Sequence, residues 1–209
     1  ICFLLSALDD LALDLLWLIH RASRWAKQYR FVPPQTVQNL AQPKNPGTLV
    51  VFIPTWQESA VIGKMLTRCR EAWNDQETKF LVYIGCYPND LAGHKAIVAA
   101  IKNHPAFRIV ICNSNGPTTK AHCLNRLWNA LLQDELAQGF KAKAIILHDA
   151  EDHVDRHELR IFDLLTEKVQ AVQLPVIPVA VKNSPWVSGH YLDEFAEAHS
   201  KNLVVREAI

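Results

Sequence analysis

The run LVVFI at residues 49–53 decides the fold, because all five residues are apolar and three of them are β-branched. Three further runs of this kind follow along the chain: FLVYI at 80–84, FRIVIC at 107–112 and AIILH at 144–148. Strands that are apolar on both faces are typical of a parallel sheet covered by helices on both sides. The sequence therefore predicts an α/β domain with a mostly parallel sheet flanked by helices.

Segments with helical spacing lie between these runs, as a doubly covered sheet requires. We expect helices over 58–73, from Asp90 as the cap to about His104, over 120–133, and from near Asp155. The segment AVQLPVI at 171–177 is apolar enough for a fifth strand, although Pro175 limits it to an edge position. No internal repeat and no low-complexity segment interrupts the alternation.

Polar residues gather directly after the strands, where open α/β sheets bind their ligands. PTWQE follows the first run, GCYPND the second, NSNG the third and DAED the fourth. Because the carboxyl ends of parallel strands share one edge of the sheet, these four loops form the candidate site.

The acidic turn after the fourth run carries Asp149, Glu151 and Asp152. Carboxylates this close repel one another unless a cation or a partner relieves them. A hard divalent ion needs one or two such groups plus substrate phosphates. A helix N-terminus that favours acidic residues explains the turn equally well. The nearby His148, His153 and His157 lack a zinc motif, so we interpret them as solvated or capping side chains.

Lys120 opens a predicted helix after the polar loop NSNGPTT at 113–119. A helix N-terminus with a lysine suits a diphosphate, although an ordinary exposed lysine fits the pattern as well. Neither a Walker A loop nor a GxGxxG loop is present, which argues against a nucleoside triphosphatase and a dinucleotide site.

Composition excludes several classes of protein. With 209 residues, 49% hydrophobic and 21% charged residues, the chain is predicted to fold. Its formal net charge of +1 gives no reason to expect nucleic acid as a partner. The five scattered cysteines form no CxxC pair and indicate reduced, intracellular thiols.

The N-terminal region differs from the rest of the chain. Residues 1–30 combine an apolar segment, broken by Asp9, Asp10 and Asp14, with four basic residues after position 20. We interpret this region as a truncated transmembrane or interfacial helix whose basic flank faces the cytoplasm. An amphipathic helix packed on the soluble domain is the alternative. Residues 31–47 are rich in Pro, Gln and Asn and are predicted to be a linker, followed by one domain over 48–209.

Three motifs in register resemble glycosyltransferase family 2. The P-T/x-x-N-E motif corresponds to residues 54–58 with Gln57 in place of Asn, and GKAxALN corresponds to TKAHCLN at 119–125. The DxD motif corresponds to Asp149-Ala150-Glu151. The resemblance covers about residues 48–180 and is greatest to a membrane-bound branch, the phage adsorption protein B-like glycosyltransferases. It implies the GT-A fold, a Rossmann-like sheet preceded here by an N-terminal membrane-associated helix.

The resemblance also implies which residues bind the donor and a metal ion. Asp149 and Glu151, with Asp152 as the alternative, would hold Mg²⁺ or Mn²⁺. Of the family's D-D-G-S-x-D motif, whose aspartate helps to hold uracil, only Asp90 remains. The implied donor-binding residues are Pro54, Thr55, Trp56, Glu58, Asp90, Lys120, Asn125 and Asp149.

The function implied is transfer of a sugar, with inversion, from a nucleoside diphosphate donor such as a UDP-sugar to a glycan or lipid-linked acceptor. We expect a bacterial inner-membrane enzyme of polysaccharide biosynthesis whose catalytic domain faces the cytoplasm. The acceptor-side motifs are not found, so we expect the general base beyond Ile209 and a fragment that is inactive alone. The alternative is a non-catalytic membrane scaffold or phage-entry component with a degenerate glycosyltransferase domain.

Overall fold

The computed structural model describes residues 2–31, 35–74, 77–179 and 185–208. Residues 32–34 of the predicted linker, and 180–184 and 209 of the predicted domain, lie outside the described residues. The chain divides into two compact units, one of Ala41–Val172 and one of Ile1–Leu40 with Gln173–Ile209. The boundaries predicted from the sequence, a linker over 31–47 and one domain over 48–209, stay predictions.

The sheet of the Ala41–Val172 unit confirms the predicted α/β class. Its four strands are β1 (Thr48–Pro54), β2 (Phe80–Cys86), β3 (Phe107–Ile111) and β4 (Ala142–Leu147). All of them are parallel, in the order β3-β2-β1-β4. Val51 of the central strand β1 lies opposite Val82 on one side and Ile146 on the other.

The described residues form seven α-helices: α1 (Cys2–Arg24), α2 (Ile62–Trp73), α3 (Leu91–Ile101), α4 (Lys120–Gln138), α5 (Glu158–Leu165), α6 (Pro185–Glu197) and α7 (Leu203–Ala208). Asp90 caps α3, as predicted, and accepts a hydrogen bond from Gly93 N. Gly139, with φ of 68°, ends α4 in the left-handed conformation that glycine adopts without strain.

Several predicted elements differ from the structure; the helix predicted over 120–133, for example, extends to Gln138 as α4. The helix expected from 58 begins at Ile62, because residues 58–61 form a turn in which Glu58 O accepts from the amides of Val61 and Ile62. The helix expected near 155 begins at Glu158, after a turn in which Asp155 Oδ1 accepts from His157 N. The predicted strand over 171–177 is wrong, since 171–179 are described and contain no strand.

The core lies on both faces of the sheet, because side chains alternate along each strand. Leu49, Val51 and Ile53 of β1 point to the face covered by α2 and α3. Val50 and Phe52 point to the face covered by α4. Full burial of this kind explains why the strand runs are continuously apolar rather than alternating.

The other unit contains α1, which contacts α7. Trp17 Nε1 donates to Ser200 O over 3.2 Å, and Lys201 Nζ lies 2.6 Å from Asp14 Oδ1. Many large apolar side chains of α1 remain exposed, among them Leu4, Leu5, Leu8 and Ile19. For this region the sequence predicts a truncated transmembrane or interfacial helix. Within the described residues, no helix has both the length and the apolar character that crossing a bilayer requires.

Candidate functional site

The loops after the four strands meet at the carboxyl edge of the sheet, and side-chain contacts join them. The loop after β1 contacts the loop after β2 through Gln57 and Asp90. The loop after β2 contacts the loop after β3 through Asn89 and Gly116. The candidate site is therefore a continuous surface built from segments far apart in the sequence.

Lys120 and Asp149 form an ion pair across this edge. Lys120 is the first residue of α4, whose N-terminus is capped by Thr119: the Thr119 hydroxyl accepts from His122 N over 3.2 Å. Lys120 Nζ contacts Asp149 Oδ1, and the two side chains are 57% and 50% exposed. The structure thus brings the predicted phosphate-binding lysine directly to the predicted metal-binding carboxylate. Because both groups reach solvent, either can exchange its partner for a ligand.

Glu58 lies beside the same pair. Its Oε2 atom is buried and has no hydrogen-bond partner among the described residues. Burial raises the pKa of Glu58, and so do the negative charges of Glu151 and Asp149, while a backbone hydrogen bond from Trp56 and the charge of Lys120 lower it. Three predicted site carboxylates from two loops therefore lie near enough to repel one another. A buried oxygen without a partner, next to other carboxylates, is the environment that a cation relieves.

The acidic turn itself is held by Asp152. Its Oδ2 accepts from Asp149 N over 3.0 Å and lies 2.9 Å from His148 Nδ1. Asp152, the alternative metal ligand predicted from the sequence, is thus engaged in the turn, whereas Asp149 and Glu151 are exposed. Asp149 and Glu151, rather than Asp152, are therefore accessible to a cation from solvent.

His148 connects this turn to α5. Its Nε2 lies 3.0 Å from Oε1 of the buried Glu158, so that the imidazole bridges Asp152 and Glu158. Burial lowers the pKa of His148, but its hydrogen bonds to these two carboxylates outweigh burial and raise the pKa to about 9. The interpretation of His148 as a solvated or capping residue is wrong, because its side chain is only 14% exposed. No local sequence signal indicates this pair, because residues 148–152 form a turn rather than a helix, in which a spacing of four residues would bring two side chains together.

The loop after β1 is fixed at both ends. Thr55 is buried, and its hydroxyl donates to Gly85 O over 2.8 Å. Gln57 has a positive φ of 57°. Its amide donates to Asp90 Oδ2 over 2.8 Å, while Asp90 Oδ1 accepts from Gly93 N over 2.9 Å. Thr55 and Asp90, both predicted to bind the donor, therefore bond to backbone groups of the domain itself.

Trp56 packs beneath the loop that follows β3. Its indole ring meets Tyr87 edge to face at 5.2 Å between centroids. Gly116 lies so close to the indole that an added Cβ would overlap it. Asn89 fixes Gly116 with two hydrogen bonds of 2.8 Å, one to its carbonyl and one from its amide. Asn89 and Tyr87 were missed by the sequence analysis.

The remaining predicted residues lie around these contacts. Pro54 ends β1, and Asn125 is exposed on α4. In the part of the chain that the structure describes, no group of three or more His, Cys, Asp or Glu side chains is arranged to hold a metal ion. Mg²⁺ is commonly bound by one or two protein carboxylates together with substrate phosphates. Asp149 and Glu151, whose negative charges act on Glu58, fit a cation held in that way.

The fold and the site define this chain as a parallel α/β domain that carries an acidic turn, a lysine at a helix N-terminus and a carboxylate after the first strand at one edge of its sheet. The model of the glycosyltransferase-like family 2 matches residues 46–208. The chain belongs to this family, which confirms the assignment made from the three motifs.

Two relatives from Escherichia coli show the same similarity. One is bacteriophage adsorption protein B of strain K12 and the other is bacteriophage N4 adsorption protein B of O157:H7. Each is 34% identical over 205 residues, which are 98% of this chain and 27% of the relative. The chain thus spans about a quarter of the length of these relatives.

Among solved structures, the chain is similar to the mannosyltransferase PcManGT from Pyrobaculum calidifontis, determined in complex with GDP-Man and Mn²⁺. The TM-score is 0.48 at 18% identity, covering 85% of this chain and 47% of that one.

Proposed function

We propose that this chain binds the donor of a glycosyltransferase that moves a sugar, with inversion, from a nucleoside diphosphate to a glycan or lipid-linked acceptor. Family membership supports sugar transfer. The observation that carries the donor site is the convergence of Lys120, Asp149 and Glu58 from three loops at the carboxyl edge of the sheet. We propose a UDP-sugar as the donor.

The proposed roles follow from charge and position. Lys120 and the amides at the α4 N-terminus would bind the diphosphate, because a helix N-terminus attracts anions. Asp149 and Glu151 would hold Mg²⁺ or Mn²⁺, which when bound supplies positive charge to the departing diphosphate. Glu58 would approach this cation from the loop after β1. Asp149 would exchange its contact with Lys120 for the cation, and Lys120 would then be released to the phosphates.

The proposed location is the bacterial inner membrane, with the donor site facing the cytoplasm and an exported polysaccharide as the product. The exposed apolar side chains of α1 and the basic residues of its last turn, Arg21 and Arg24, support this proposal. Donor sugars are made in the cytoplasm, which agrees with a site on that side of the membrane.

Equilibrium dialysis of the 209-residue chain with radiolabelled UDP-hexoses and GDP-hexoses tests the proposal. We expect retention of UDP-hexoses that needs a divalent cation and is lost in Asp149→Asn. Asp155→Asn is the matched control, since it removes the same charge from the same loop while the amide oxygen can still accept from His157 N. Retention that survives Asp149→Asn, or equal loss in both variants, would contradict the proposed site.

A second candidate function is a role in phage adsorption without sugar transfer, and the names of the two relatives favour it. The two functions are separated by the same dialysis: a folded chain that retains no nucleotide sugar under any metal condition would favour the adsorption role.

A further inference from the structure

Asp90 uses both of its carboxylate oxygens on the backbone of the domain. One oxygen caps α3 through Gly93 N, and the other accepts from Gln57 N in the loop after β1. The residue is only 5% exposed. An aspartate that caps a helix needs one oxygen for that purpose. The second hydrogen bond is not needed for the cap, and it connects Asp90 to a different segment, the loop after β1.

Gln57, whose amide donates that second hydrogen bond, has an unfavourable backbone conformation. Its φ of 57° lies in the left-handed region, which non-glycine residues seldom enter and in which Asn and Asp are several-fold enriched. Glutamine has no such preference, so the conformation must be held by its surroundings. Gln57 lies between Trp56 and Glu58, so its backbone conformation sets the direction of both neighbouring side chains.

We propose that Asp90 is a positioning residue, which holds Gln57 in the left-handed conformation and thereby directs Glu58 to the donor site. This inference rests on the proposed function, since the donor is the ligand that Glu58 serves. It replaces direct contact of Asp90 with the nucleobase, the role expected from the sequence. A buried carboxylate that already accepts from two backbone amides is well placed to hold Gln57 and poorly placed to contact a nucleobase.

The experiment separates the two roles of Asp90, which are to cap α3 and to accept a hydrogen bond from Gln57 N. Asp90→Ser keeps a good helix cap but has a single, shorter side-chain oxygen, which cannot cap α3 and reach Gln57 N at once. Gln57→Asn, added to Asp90→Ser, gives position 57 a residue that adopts positive φ more readily. The matched control adds Lys102→Asn instead, at the other end of α3, where Lys102 has a φ of 49°. It makes the same kind of change away from the donor site.

Isothermal titration of the 209-residue chain with UDP and with GDP, in Mn²⁺, measures the outcome, and thermal unfolding shows that each variant is folded. We expect Asp90→Ser to weaken the nucleotide affinity about tenfold, as the loss of a charged hydrogen bond does. Gln57→Asn should restore at least about threefold of this loss, and Lys102→Asn should restore none.

Three results would overturn the inference. Wild-type affinity in Asp90→Ser would show that the bond to Gln57 has no effect on the site. A loss that Gln57→Asn does not restore would indicate direct contact between Asp90 and the nucleotide. Equal restoration by Lys102→Asn would indicate general stability rather than positioning. Absence of nucleotide binding by the folded wild-type chain refutes the proposed donor site itself, and the inference fails with it, whereas the other results refute the inference alone.

Discussion

The charge of His148 should make the stability of the domain fall as the pH rises. The pKa of His148 is raised from 6.5 to about 9. Because the folded value is higher, the protonated imidazole stabilises the fold fully below pH 6.5, and this contribution is lost as the pH rises through about 9. At about 1.4 kcal/mol per pKa unit, the whole shift from 6.5 to about 9 corresponds to roughly 3 kcal/mol.

Urea and thermal unfolding in a chelating buffer, at pH values below and above this window, measure the effect. A loss of about 3 kcal/mol lowers the melting temperature by roughly 6–12 °C in a chain of this size. His148→Gln removes the titrating group, so its unfolding free energy should change far less with pH over the same window. His153→Gln, an exposed histidine of the same loop, is the control and should behave as wild type. Equal pH dependence in wild type and His148→Gln would refute the bridge between Asp152 and Glu158.

Two further substitutions test the surroundings of the site. Lys120→Met should leave the melting temperature nearly unchanged, because an ion pair with both side chains about half exposed contributes little to stability. In titration, the same substitution should weaken the nucleotide affinity about tenfold, because it removes a phosphate contact. Unchanged affinity would exclude Lys120 from the site. Gly85→Ala should destabilise the domain by about 1–3 kcal/mol in urea unfolding, because its Cβ would overlap Cys123 Sγ. Adding Cys123→Ala should recover part of this loss, and no recovery would contradict the packing described.

The strands could be predicted within about two residues because each is a run of mostly apolar side chains. The signal is strongest in β1 and β2, where most residues are buried on both faces of the sheet. The helix cap at Asp90 could also be predicted. The segment 171–177 was wrongly predicted as a strand, because its apolar residues fit the strand pattern locally. Pro175 lacks an amide to donate to a ladder, and apolar character alone does not place a segment in a sheet.

The candidate site could be predicted as a set of residues but not as a set of contacts. Nothing local distinguishes Asp152, which is engaged in the turn, from Asp149 and Glu151, which are exposed. The ion pair of Lys120 joins residues 29 positions apart, and the left-handed Gln57 depends on a side chain 33 positions away. Such contacts are decided by the packing of α-helices on the sheet, which a single sequence does not reveal.

We propose that the carboxylates of the acidic turn and a nucleoside diphosphate together hold a divalent cation. Electron paramagnetic resonance of free Mn²⁺ tests it most directly, because bound Mn²⁺ loses its sharp solution signal. We expect weak uptake of Mn²⁺ by the 209-residue chain alone and stronger uptake when UDP is added, beyond that of UDP without protein. This increase should disappear in Asp149→Asn and persist in Asp155→Asn. This proposal would be contradicted if UDP left Mn²⁺ uptake by the folded wild-type chain unchanged, or if the increase on adding UDP persisted in Asp149→Asn.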